Sequence, residues 1–108
     1  MTNNIQNAIL STFLWLDISE YQKTDLFDLE PNAFDTELQK RVCKLINEEI
    51  QSQEYFFGYK REMFDEKIKG TVWANDWLEI LSQTPLGLKA AKRYYDDLVL
   101  KKRLEFLI

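Results

Sequence analysis

Apolar side chains recur every three or four positions along most of this chain, and the runs are interrupted at Pro, Gly and Asn in a way that outlines helices. In the first run Ile5, Ala8, Ile9, Thr12, Phe13 and Leu16 share a face, with Leu10, Leu14 and Trp15 on its flanks. So many apolar positions predict a central helix, capped by Asn3 or Asn4. Asp17 to Leu29 carries a shorter helical pattern through Ile18, Tyr21, Leu26 and Leu29, and Glu30-Pro31-Asn32 breaks it. The clearest helix follows. Asp35 is its expected N-cap, and Leu38, Val42, Leu45, Ile46 and Ile50 form the inner face, opposite Gln39, Lys40, Lys44 and Glu48. Beyond the aromatic stretch Tyr55-Phe56-Phe57 and Gly58, a helical run from Lys60 to Lys69 ends at Gly70, in the position of a C-cap. Trp73, Trp77, Ile80 and Leu81 define a further helix that stops at Ser82-Gln83-Thr84-Pro85.

The final pattern runs from Leu86 to Ile108 without a stop signal. At 100° per residue, Leu88, Ala91, Tyr95, Leu98, Val99 and Phe106 form one apolar stripe, while Leu100, Leu104, Leu107 and Ile108 gather on the other side. A helix apolar on two sides needs two surfaces to cover it. The second cover is expected to be another chain, or residues outside this sequence. Period-two alternation, hairpin dipeptides and internal repeats do not occur. The expected class is all-α: a compact five- to six-helix head over residues 1–85, followed by a long C-terminal helix over 86–108, the first arm of a helical hairpin, all in a single domain.

Composition supports a folded chain: 108 residues, 45% hydrophobic and 30% charged, with only three Gly and two Pro. The start carries no basic n-region, and the apolar run Ala8 to Leu16 is too short to span a membrane, so a cytoplasmic location without membrane association is expected. The single cysteine, Cys43, reads as a small buried hydrophobe of a reduced protein. The net charge of −4 is unevenly spread. Residues 86–108 hold six Lys/Arg against three Asp/Glu, a net +3, which leaves −7 for residues 1–85.

Chemistry is sparse. Histidine is absent, which removes the commonest general base and metal ligand. Glycines at 58, 70 and 87 alone build neither a phosphate loop nor a dinucleotide fingerprint. The acidic pairs Asp25/Asp28, Glu48/Glu49, Asp65/Glu66 and Asp96/Asp97 read as solvated faces. No catalytic, cofactor or metal site is expected, and this chain is not expected to be an enzyme. The basic groups Lys89, Lys92, Arg93, Lys101 and Arg103 scatter around the last helix and are interrupted by Asp96 and Asp97, so strong direct nucleic-acid binding is not expected either.

The order of segments resembles the N-terminal domain of the bacterial replicative DNA helicase, the DnaB type. Ile5-Gln6-Asn7-Ala8-Ile9-Leu10-Ser11-Thr12-Phe13-Leu14-Trp15-Leu16-Asp17 looks like that family's opening helix. Leu29-Glu30-Pro31-Asn32-Ala33-Phe34 is similar to the segment that enters its third helix. The run Leu78 to Pro85, then Tyr94-Tyr95 and Leu98-Val99-Leu100-Lys101-Lys102-Arg103-Leu104, resembles its proline break, paired tyrosines and basic-apolar helix. The stretch from Leu86 to Arg93 is longer than the family's and lacks its usual Asn. The resemblance implies an architectural role in DNA replication: self-association through hairpin helices, a collar on a hexamer, and a surface for primase or helicase loader within a primosome. The ATPase motor would lie in a separate domain of a longer chain. Two other readings share the features, the helicase-binding C-terminal domain of primase and a stand-alone helical adaptor or regulator. The expected partner surface, for self-association into a dimer or higher oligomer, is Tyr94, Tyr95, Leu98, Leu104, Phe106 and Leu107.

Overall fold

A computed structural model of the chain describes residues 2–15, 27–51, 60–68 and 70–107, and every regular element among them is helical. The α-helices are α1 (Thr2–Leu14), α2 (Glu37–Gln51), α3 (Lys60–Ile68), α4 (Ala74–Ser82) and α5 (Leu88–Leu107), with a 3₁₀ turn at Pro31–Ala33 before α2. The all-α class stands.

Helix α1 is the axis around which the others pack, touching α2, α4 and α5. Every side chain from Gln6 to Leu14 is buried, so the dense apolar pattern reflects coverage on all sides. The helix begins at Thr2, which puts Asn3 and Asn4 inside the first turn, not at the cap. Four buried polar side chains interrupt its apolar surface, and each has a partner. The Ser11 hydroxyl donates to the Gln83 carbonyl at 2.9 Å, and the Thr12 hydroxyl accepts from the Leu86 amide at 2.9 Å while donating to Ala8 one turn back. Together they fasten the connection between α4 and α5. On the other side, Gln6 and Asn7 reach the start of α2.

That start is a capping box displaced by one residue from the expected Asp35. The Thr36 hydroxyl accepts from the Gln39 amide at 3.1 Å, and the Gln39 side chain accepts from the Thr36 amide at 3.0 Å. Gln39 also donates to the Asn7 side-chain oxygen at 2.9 Å, which explains why a residue expected on the polar face is buried. The inner face of α2 is as predicted, with Leu38, Val42, Leu45 and Ile46 in the core and Ile50 packed at its edge. Cys43 is fully buried, and burial pushes its thiol well above the ordinary range.

Residues 27–29, expected as the end of a helix from Asp17, carry no helix; the rest of that stretch lies outside the described residues. The Asn47 side chain takes both backbone groups of Leu29, accepting from its amide at 2.8 Å and donating to its carbonyl at 2.6 Å. An extended segment thus gains the two hydrogen bonds that a strand partner would supply. The run Tyr55–Phe57 also lies outside the described residues. At the other end of α3, Gly70 adopts φ +80°, the left-handed conformation expected of a residue just past a helix end. Trp73 precedes the first turn of α4, and the Trp77 indole donates to Asp65 at 2.6 Å, tying α4 to α3.

Candidate functional site

Helix α5 has an inner and an outer face. Leu88, Ala91 and Tyr95 are buried, and Leu98 and Val99 pack on the core edge, so its first half belongs to the head. The predicted start at Leu86 gives way to Leu88 because the Leu86 amide is engaged by Thr12 and the Ala91 amide closes on the Gly87 carbonyl.

The paired tyrosines part company. Tyr95 is 7% exposed, and its phenol oxygen accepts from the Glu30 amide at 2.7 Å. Its ring lies 5.4 Å from Phe27 and 6.5 Å from Phe34, and Lys92 sits over both the Phe27 and Tyr95 rings. Burial raises the pKa of its hydroxyl. Tyr95 is therefore internal and cannot offer its ring to a partner, contrary to its placement on the expected surface. Tyr94 is 42% exposed and points outward.

With Tyr94 the outer face carries Leu100, 56% exposed, and Leu104, 50% exposed. These side chains and Leu98 meet Ile5 of α1 along an open groove of about 370 Å³, whose polar members are Asp97 and Lys101. Three of the expected surface residues, Tyr94, Leu98 and Leu104, thus lie together. Phe106 and Leu107 belong to the last turn of α5, and their side chains lie outside the described residues. Sequence reasoning missed Ile5, which the helical wheel assigned to the core face of α1. A side chain in the first turn of a helix packs only where a neighbour reaches that far, and here α5 leaves Ile5 40% exposed.

Opposite the groove, the second half of α5 is anchored by one ionic contact. The Lys102 ammonium donates to Asp35 at 2.9 Å, and the other Asp35 oxygen accepts from Gln6 at 3.0 Å, while the Asp35 amide donates to Gln6. The lysine hydrogen bond holds the Asp35 carboxyl below the usual carboxylate range, helped by Gln6 and opposed by partial burial. The same contact raises Lys102. One carboxylate thereby joins α1, α5 and the entry to α2.

No family model matches this chain, and neither a curated protein nor a solved structure matches it. Its chemistry must be read from its own surface. A smaller cavity of about 110 Å³ between α1, α2 and α4 is lined by Asn7, Gln39, Asp76 and Glu79 among others. Among the described residues no three metal-ligating side chains converge. Asp65 is occupied by Trp77 and Asp96 by Lys92, at 2.8 Å, so two of the acidic pairs contribute to structural bonds. Among the described residues no helix is long and apolar enough to cross a membrane.

Proposed function

We propose that this chain is a non-catalytic helical interaction domain of the replicative-helicase collar type, acting in the cytoplasm by docking a protein partner along the outer face of α5. The observation that carries the proposal is the groove between α5 and Ile5. Five apolar or aromatic side chains from two helices converge there around a single acidic and a single basic residue. The order of motifs that resembles the helicase domain supplies the class of partner: a second copy, a primase, or a helicase loader.

Binding is tested by titrating the fluorescently labelled chain with the helicase-binding domain of a primase, with a loader, and with unlabelled chain. We expect saturable binding to at least one, lost on Leu104→Asp, because a carboxylate buried without a partner costs several kcal/mol, roughly 3 or more. Absence of any binding up to about 0.1 mM, a free energy weaker than about −5.5 kcal/mol, refutes the reading.

A further inference from the structure

We infer that the small cavity between α1, α2 and α4 is a binding site for an α-amino end: an ammonium group at its rim, and the neighbouring carbonyl or carboxylate oxygen on its floor. It shares no lining residue with the groove along α5 and does not rest on the docking role proposed above.

The floor consists of two amides whose orientation is fixed. Gln39 Oε1 accepts from the backbone amides of Asp35 and Thr36, at 3.2 and 3.0 Å, and a backbone amide can only donate. The Gln39 nitrogen must then face Asn7, where it donates to Oδ1 at 2.9 Å, and this turns the Asn7 nitrogen the other way. Both protons of Asn7 Nδ2 and the second proton of Gln39 Nε2 meet no acceptor among the described residues. Asn7 is 7% and Gln39 2% exposed, and both line the cavity. Buried N–H groups without an acceptor are rare in folded proteins, since each has given up its bonds to water. Donors beneath an open space call for an acceptor from outside.

The rim has the opposite polarity. Asp76 and Glu79 stand one turn apart on α4, are exposed, and pair with no Lys or Arg among the described residues. Leu38 and Ile80 supply apolar wall. An anion would suit the floor and be repelled by the two carboxylates. A bare cation would suit the carboxylates and leave the floor unpaired. The occupant therefore carries both, a positive donor and an acceptor a short reach behind it. A space of about 110 Å³ holds roughly three or four waters at ~30 Å³ each, which is room for an ammonium nitrogen, its Cα and one carbonyl with little more. A neutral carboxamide also offers donor and acceptor, but hydrogen bonds to an ionised donor are the stronger, and two carboxylates favour the charged amine. A free amino acid and the N-terminus of a polypeptide share this end, and capture of a terminal amine is a general mode of peptide recognition.

The test is a titration of the ¹⁵N-labelled full chain at pH 7, followed by NMR, with glycine, with the amide of Gly-Gly-Gly, and with the same peptide N-acetylated. Glycine or the free peptide should move the side-chain amide signals of Asn7 and Gln39 saturably, with a Kd of about 1 mM or tighter. Acetylation should weaken binding by roughly tenfold or more, because it removes the charge. Tighter binding of glycine assigns the site to a free amino acid, and tighter binding of the peptide to a chain N-terminus. Asp76→Asn and Glu79→Gln should each weaken binding by roughly tenfold, with the circular dichroism unchanged, as both positions are exposed. Affinity for the free peptide should fall as pH rises through about 8, where its amine loses the proton. Side-chain amide signals that stay fixed up to about 20 mM of glycine and free peptide overturn the inference. So does an acetylated peptide that binds as well as the free one, or methylammonium that binds as well as glycine, since the floor would then play no part.

Discussion

Replacing the two adjacent tyrosines separates the inner from the outer face of α5 in one comparison. Tyr95→Phe removes one oxygen and keeps the ring against Phe27 and Phe34. It leaves the partly buried Glu30 amide without its acceptor at 2.7 Å. A stranded amide costs about 1–2 kcal/mol. Tyr95→Ala also deletes a ring in a closed aromatic cluster, for which about 3–5 kcal/mol is usual. That is a large share of the 5–15 kcal/mol typical of a domain. By contrast, Tyr94→Ala touches an exposed side chain and should change the stability of the monomer by no more than about 0.5 kcal/mol. Measured in a Leu104→Asp background, to remove any contribution from association, thermal unfolding followed by circular dichroism should give a Tm lowered by roughly 5–10 °C for Tyr95→Phe. Tyr94→Ala should leave it nearly unchanged, whereas in the unaltered background it should weaken association. Equal thermal penalties at the two positions, or a larger one at Tyr94, would refute the division of α5 into an inner and an outer face.

Gln39→Ala should cost roughly 3 kcal/mol in urea unfolding, since it removes the capping box and also strands the Asn7 side-chain oxygen; a loss below about 1 kcal/mol would contradict the network. Cys43 should resist a thiol reagent in buffer and react stoichiometrically only above the urea midpoint, because it is fully buried with its pKa raised; labelling within minutes under native conditions would show the core open. The Asp35–Lys102 contact should contribute about 0.5 kcal/mol, as both side chains are partly exposed. Asp35 is lowered, so its contribution is present above the unfolded carboxylate pKa of about 4 and fades as pH falls through the lower folded value. Lys102 is raised, so its contribution holds below about pH 10 and fades as pH rises through the folded value. The stability difference between the unaltered chain and Asp35→Asn should therefore shrink below pH 4, and a difference that persists there would point to the Gln6 bond instead.

Periodicity made α2, α4 and α5 legible because each buries one stripe, and a stripe is what a wheel detects. Leu38, Val42 and Ile46, or Trp77 and Ile80, declare their side by spacing alone. The centrality of α1 was equally visible in its density of apolar positions. What escaped was set by partners remote in sequence. Gln39 looks like a surface residue until Asn7, 32 positions earlier, arrives beside it. The segment at Leu29 follows a helical pattern, yet its backbone bonds go to Asn47, which no local rule identifies. The site was half legible for a related reason. Two neighbouring tyrosines suggest one surface, but 100° of helical rotation separates them, and only the approach of Phe27 and Phe34 decides which one turns inward.

Helix α1 invites a different question: how a rod buried on every side keeps one angular setting. Ile9, Leu10, Phe13 and Leu14 would fill the same space almost equally well after the helix turned about its axis. Gln6, Asn7, Ser11 and Thr12 remove that degeneracy. Each meets a fixed mate on a different neighbour in a single orientation. A rotation by one residue would face them with hydrocarbon, at about 1–3 kcal/mol apiece. These four side chains work as the teeth of a key, contributing little to the holding force and nearly all of the selectivity among near-equivalent packings.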